Sequence, residues 1–305
     1  MNGPQNNPSR PPEIENLSNR FLLHPLSNRL APLLARAHVH PNLVSLAGLA
    51  FGAGAALLYA RAGPWGETLA ALACMLAWHV MDGADGQVAR LTGKASPTGR
   101  IVDGLADYSV FMLVYSALAW ILRPEYGIWG WVAGWVAAAS HIAQAALYEL
   151  QREKYVAWTA ADKPLPRGRT PQGEAWRAGT FWWLEWAYVR LQRLVDGQGV
   201  IIPENGDSFA PAGSETRRAI AASYAGHYAV HVHRWGVLSA NSHTLAIFVF
   251  VLAGWPIGYF LFEALALNLA LIVLLARKRK LDRGFSANLG TLAGREAPSA
   301  VDIHN

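Results

Sequence analysis

Residues 68–80 read "TLAALACMLAWHV" without one charged side chain, and residues 81–107 continue as "MDGADGQVARLTGKASPTGRIVDGLAD" with four aspartates. Ionised carboxylates are costly at the end of an apolar helix unless they are paired, hydrated or bound to a metal. Asp82 and Asp85 are three residues apart, and Asp103 and Asp107 four apart, so each pair lies on one helical face. The short connection 91–100 is expected to fold the two faces together at one depth. Facing carboxylates without His or Cys make a hard-cation site suited to Mg2+ or Mn2+. Four of them imply two ions, an arrangement that suits phosphoryl chemistry. Gly83 and Gly86 interleave with the first pair and bare the helix surface to a ligand's phosphates. Arg90 follows one turn later, with a planar fork that matches two phosphate oxygens.

Outward from this stretch the chain reads as a series of apolar runs. Residues 43–60 form one span, and residues 64–80 a second that runs into the aspartates. Residues 101–122 and 128–147 form the third and fourth. The run 236–277 is too long for one span, and "GWPIG" at 254–258 divides it in two. The expected fold is therefore an all-α integral membrane protein with six transmembrane helices. Arg90, Lys94 and Arg100 follow span two, Arg152, Lys154, Lys163, Arg167 and Arg169 follow span four, and "RKRK" at 277–280 follows span six. The positive-inside rule then puts both termini, and the aspartates, in the cytoplasm.

Residues 13–36 place Leu17, Phe21, Leu22, Leu26, Leu30 and Leu33 at helical spacing, with a kink expected at Pro25. Residues 173–195 are rich in Trp and Arg. Both segments suit interfacial helices. The second belongs to an insertion, 151–235, expected to form a small cytoplasmic subdomain. The segments are then 1–36, a disordered start and amphipathic helix; 37–150, spans one to four; 151–235; 236–280, spans five and six; and a C-terminal tail, 281–305. Disorder is expected over 1–12 and 286–305.

Composition narrows the class further. Charged residues make up 15% of the chain, against about 25% in soluble domains, which fits a membrane protein. The net charge of +5 flanks apolar runs, so it points to lipid headgroups and topology and away from a nucleic acid polymer. Cys74 is the single cysteine, which excludes an internal disulfide and a Cys-based zinc site. The polar, Pro-rich start has no apolar core after a basic segment and does not read as a signal peptide.

The sequence Asp82-x-x-Asp85-Gly86-x-x-Ala89-Arg90, then eight residues, Gly99, three residues, Asp103, three residues and Asp107 resembles the signature of the CDP-alcohol phosphotransferase family. "HPNLVS" at 40–45 is similar to the Pro-Asn-x-x-Ser/Thr element that opens the family's first span. The likeness covers about 37–150 well and 236–280 in topology alone; the insertion has no counterpart. It implies transfer of a substituted phosphate from a CDP-linked donor to an alcohol acceptor, with release of CMP. It also implies that Asp82, Asp85 and Asp103 are metal ligands and that Asp107, near the second ion, is the general base. Asn42, Gly86, Arg90 and Gly99 are the expected CDP-binding residues. Asn42 alone also reads as a helix N-cap. The expected setting is the cell (inner) membrane, in contact with membrane lipid, as a homodimer.

The connection "DGADGQVARLTGKASPTG" is nearest in character to the branch that uses CDP-aminoalcohols; CDP-diacylglycerol is the other donor class. His141, Gln144, Glu149, Arg152 and Lys154 are candidates for selecting the acceptor. His79 reads as a partner of Asp82 or as a bundle histidine, and His227, His231 and His233 do not form a clean ligand set. Two rival functions are a non-catalytic descendant of the family and a divalent-cation transporter. No repeats or midplane acids favour the transporter.

Overall fold

A computed structural model describes residues 11–61, 63, 65–166, 190, 195–196, 199–200 and 210–296. These are helical, with no strand among them. The main helices are α1 (His24–Arg36), α2 (Pro41–Ala60), α3 (Trp65–Leu91), α4 (Pro97–Tyr126), α5 (Ile128–Thr159), α6 (Glu215–Arg234), α7 (Ala240–Leu252), α8 (Pro256–Leu261) and α9 (Asn268–Glu296). A π-helical segment, Phe262–Leu267, joins α8 to α9. The expected Trp-rich helix at 173–195 lies outside the described residues, apart from Arg190 and Val195.

Among the described residues three helices are long and apolar enough to cross a membrane: Pro41–Ala60, Asp103–Tyr126 and Pro256–Thr291. The bent pair Glu215–Leu238 and Ala240–Leu252 makes a fourth if it counts as one span. The expected second and fourth spans exist as α3 and α5 but fall short on composition. Glu67, His79 and the aspartates dilute α3, while Trp, Gly, His141 and Gln144 dilute α5. The apolar helices turn large side chains outward: Leu46 and Leu57 on α2, Leu113 on α4, Leu269 and Ile272 on α9. Large apolar side chains exposed along long apolar helices suit a protein that sits in lipid.

The chain divides into two compact units, Glu15–Gln144 with Val237–Leu269, and Met1–Ile14 with Ala145–Gly236 and Ala270–Asn305. In the first, α2, α3 and α4 pack around Tyr59, Met75, Trp78, Phe111, Val114 and Leu118. Gly52 lets α2 approach α4: a Cβ built there would sit 2.4 Å from a Val110 methyl. The N-terminal segment joins this unit. Its α1 contributes Ala31, Leu30 and Leu34 to a small cluster with Val44, Ala84 and Val88, while Leu17, Phe21 and Leu33 stay exposed. Pro25 does not break α1. Helical backbone runs through it without a break, and the turn directly before it, Asn19–Leu23, is wound as a π-helix, which accommodates the ring and the missing N–H.

The second unit is built on stacked rings. Trp158 lies flat on Tyr224 with centroids 5.0 Å apart, Tyr224 on Tyr228 at 4.1 Å, and Phe285 meets all three edge-on. Arg217, wholly buried, donates to the carbonyls of Ala157, Trp158, Ala160 and Lys163 at the end of α5. Asp196 accepts from Gln151 at 2.7 Å and pairs with Lys154 and, at 3.0 Å, with Lys278. Two expectations change here. Lys278 of the "RKRK" run is buried against Asp196 and Asp282, not free for headgroups. And α9 continues to Glu296, with Phe285 and Leu289 in the core, where a disordered tail was expected.

Candidate metal and nucleotide site

The site rests on how α3 stops and α4 starts. Gly93 takes φ +68° just past the end of α3 and donates to the Arg90 carbonyl, while Lys94 N–H reaches back to Ala89 O at 2.8 Å. This is a glycine-terminated helix end, open to glycine because it has no Cβ to clash at positive φ. Ser96 then caps α4, its Oγ accepting from Gly99 N–H at 3.0 Å. Only residues 92–96 separate the helices, so the carboxylates near the end of α3 and the start of α4 are brought together.

Asp82, Asp85 and Asp103 each offer an oxygen, and these three atoms lie within 4.8 Å of one another. Asp107 stands one turn further along α4, within reach of the other three charges, and its carboxylate accepts from the Trp78 indole. Asp85 is buried and the most constrained of the set. It accepts from its neighbour's backbone, Gly86 N–H, and from Ser45 Oγ at 2.6 Å. Arg90 is exposed, close enough to Asp85 for its charge to act there, and its Nη1 lies 3.5 Å from where a Gly86 Cβ would be.

Ser45 is the residue that sequence reasoning passed over. It closes the "PNLVS" element four residues after Pro41, so it was in view, but only Asn42 had been given a role. The i, i+3 step from Asn42 to Ser45 was the available signal: it puts a hydroxyl one turn into the helix that faces α3. Asn42 itself is exposed in the first turn of α2 and is not the N-cap. His40 caps the helix, its Nδ1 accepting from Asn42 N–H at 3.3 Å.

The two glycines expected to bare a phosphate surface divide between two jobs. Gly86 faces Arg90 across ordinary contact distance. Gly83 faces α1, where an added Cβ would come 2.7 Å from Ser27 Oγ, itself bonded to Val80 O at 2.9 Å. Gly83 is therefore a helix-packing residue. Gly99 spares the Ser96 cap a crowding contact at 3.1 Å and lies at the N-terminal end of α4, where the helix dipole favours anions.

Residues 38–170 match the CDP-alcohol phosphatidyltransferase family. The match spans a little under half of the chain and includes all four aspartates, Ser45, Arg90 and Gly99. The family is one of transferases of phosphate-containing groups, associated with membranes and phospholipid synthesis. No curated protein gives a significant match to the chain.

Several other expected site residues are employed elsewhere. His79 is a bundle histidine, its Nε2 paired with Thr244 Oγ1 at 2.9 Å and its ring against Trp78. His141 and Gln144 are buried among α5, α7 and the π segment, Gln144 donating to Glu263 O and the His141 ring meeting His243. Glu149 and Arg152 pair at 2.7 Å and line a cleft of about 490 Å³ with Lys163 and Pro164. His231 accepts from the Trp235 indole, while His227 bonds Ser223 O and His233 is exposed, so these three share no ligand position.

Proposed function

We propose that the chain is a CDP-alcohol phosphotransferase of phospholipid synthesis, transferring a substituted phosphate from a CDP-linked donor to an alcohol acceptor and releasing CMP. The observation that carries the reading is the convergence of Asp82, Asp85 and Asp103 within 4.8 Å at the α3–α4 turn. Three carboxylates so close repel one another, and an all-oxygen donor set fits Mg2+ or Mn2+. The ligands would be Asp82, Asp85 and Asp103, with Asp107 beside a second ion. Bound there, the ions would neutralise phosphate charge and hold the reacting oxygens in line.

The protein's own groups supply the rest. Ser45 and the Gly86 N–H fix the Asp85 carboxylate, so its orientation does not have to be set at the moment of binding. Arg90, folded toward Gly86, presents a bidentate fork to a donor phosphate, and the positive end of the α4 dipole near Gly99 favours the same anion. Asp107 takes the acceptor's hydroxyl proton, held in place by the Trp78 indole. In this reading α2 to α5, the run from residue 236 through α7, and α8–α9 act as six spans. The termini and the site face the cytoplasm, in the cell membrane, and the expected assembly is a homodimer.

The test is CMP release by purified protein given Mg2+ or Mn2+, either CDP-diacylglycerol or a CDP-aminoalcohol, and a panel of alcohol acceptors. No acceptor-dependent CMP release with either donor class would refute it.

A further inference from the structure

A second group of potential ligands lies within the Glu15–Gln144 and Val237–Leu269 unit, on elements that the aspartate site does not use. His141 on α5, His243 on α7 and Glu263 on the π segment each offer an atom, all within 4.8 Å of one another. Their relative exposures are 3%, 0% and 0%. The aspartates offer only hard oxygen donors; this group offers two imidazoles and a carboxylate.

Hydrogen bonding around the group leaves one nitrogen of each imidazole and one oxygen of the carboxylate without a partner. His243 Nδ1 lies 2.6 Å from Glu263 Oε2, and Tyr259 and Tyr115 donate to that same oxygen at 2.8 and 3.2 Å. This fixes the carboxylate and, with Nδ1–H as donor, turns the lone pair of His243 to Nε2. Such carboxylate–imidazole pairing is how proteins orient a metal-binding histidine. Four buried atoms in this neighbourhood have no hydrogen-bond partner: His243 Nε2, His141 Nδ1, Glu263 Oε1 and Gln144 Oε1. All four are acceptors or can be, and the three residues of the cluster each contribute one. A set of buried acceptors with no donor between them is explained by a cation.

We propose that His141, His243 and Glu263 form a binding site for a borderline transition-metal ion, of which Zn2+ is the type, with Gln144 Oε1 or a water completing the shell. Two imidazoles and one carboxylate are a zinc donor set, and imidazole selects such ions over Mg2+. Bonds of about 2.0–2.2 Å require donors somewhat closer than 4.8 Å, a contraction that side-chain rotations supply. The ion would pin α5, α7 and the π segment to one another, and π-helical turns are often found where a ligand is held. Phe111, one turn beyond Asp107 on α4, stacks on the His141 ring at 4.1 Å, so the site braces the helix that carries the proposed base. The inference does not rest on the transferase reading.

The experiment uses full-length, untagged protein in detergent, stripped with a chelator and reloaded with Co2+ as a paramagnetic stand-in for Zn2+. Pulsed EPR of the wild type should show coupling to imidazole nitrogen, and this signal should persist when Asp82→Asn and Asp103→Asn remove the carboxylate site. His141→Ala and His243→Ala should each lose it, with Zn2+ affinity falling at least tenfold. Glu263→Gln, nearly isosteric and able to keep its tyrosine contacts, should weaken Zn2+ binding and lower the thermal midpoint gained on adding Zn2+. Absence of imidazole-coupled metal in the wild type overturns the site, and that measurement needs no variant to fold. Coupling that survives both histidine changes also overturns it, by placing the metal elsewhere.

Discussion

Removing one hydroxyl should reveal whether Asp85 is held for a cation. In Ser45→Ala the 2.6 Å bond to Asp85 Oδ2 is lost, while the backbone N–H of Gly86 still serves the other oxygen. A hydrogen bond to a charged group contributes about 1.5–3 kcal/mol, which is about ten- to a hundredfold in an equilibrium constant. Residues that orient a metal ligand typically alter metal affinity over the same range, about 10–100-fold. The hydroxyl sits on α2 and the carboxylate on α3, so its loss frees the carboxylate to rotate without moving either helix. Titration calorimetry of CDP in the presence of Mn2+ should therefore show affinity down by about ten- to a hundredfold. Ser45→Thr, which keeps the hydroxyl, should recover most of it. CDP affinity within twofold of wild type in Ser45→Ala, at limiting Mn2+, would refute the argument that Asp85 is pre-oriented for a metal.

Four further outcomes follow from the same geometry. Asp107→Asn should abolish CMP release yet keep metal-dependent CDP binding; wild-type turnover would remove Asp107 from the mechanism. Arg90→Lys keeps the charge but loses the fork, so CDP affinity measured by calorimetry should drop by about tenfold or more, and equal affinity would reduce Arg90 to a source of field. Gly83→Ala should displace Ser27, cost about 1 kcal/mol of stability and spare CDP binding. Gly86→Ala should do the reverse, and identical effects at both glycines by thermal melting and calorimetry would dissolve that distinction. Burial pushes the Asp196 carboxyl up, but Lys278 and Lys154 more than offset it and hold it below the ordinary range. Its stabilisation is then present above pH about 4 and fades as pH falls through the lowered value. Asp196→Asn should cost about 3–5 kcal/mol at pH 7 and progressively less as pH falls below the ordinary carboxylate range, and a melting-temperature gap that does not shrink with acid would contradict this.

What the sequence made legible was governed by spacing along single helices. The pairs Asp82/Asp85 and Asp103/Asp107 are local facts of helical periodicity, and the glycine and serine between them announce a tight turn. The Ser45–Asp85 bond was not legible in the same way, because it depends on the rotation of α2 against α3, and that is set by packing at Gly48 and Gly52. Gly83 looked identical to Gly86 in sequence, three residues away in the same repeat. Only the position of α1, with Ser27 against it, separates their roles. The histidines show the limit most clearly. The crowded "HYAVHVH" drew attention by proximity in sequence, while His141 and His243, far apart in the chain, meet with ring centroids 4.1 Å apart. Span counting is a different case: hydropathy averages a helix over all its faces, and α3 and α5 each devote a face to polar neighbours, so length and composition alone do not mark them as spans.

The clamp made by Arg217 has a consequence for how this chain tolerates change. One side chain ties the last carbonyls of α5 to the first turn of α6, and Gly213 N–H adds a bond to Ala161 O at 2.8 Å. The end of α5 and the start of α6 are therefore held to one another by their own atoms. Closing a longer loop costs only slowly more as its length grows. Lengthening, shortening or replacing residues between 167 and 189 should thus leave both helices where they are, which makes this segment a natural entry point for a reporter domain or a fiducial for imaging.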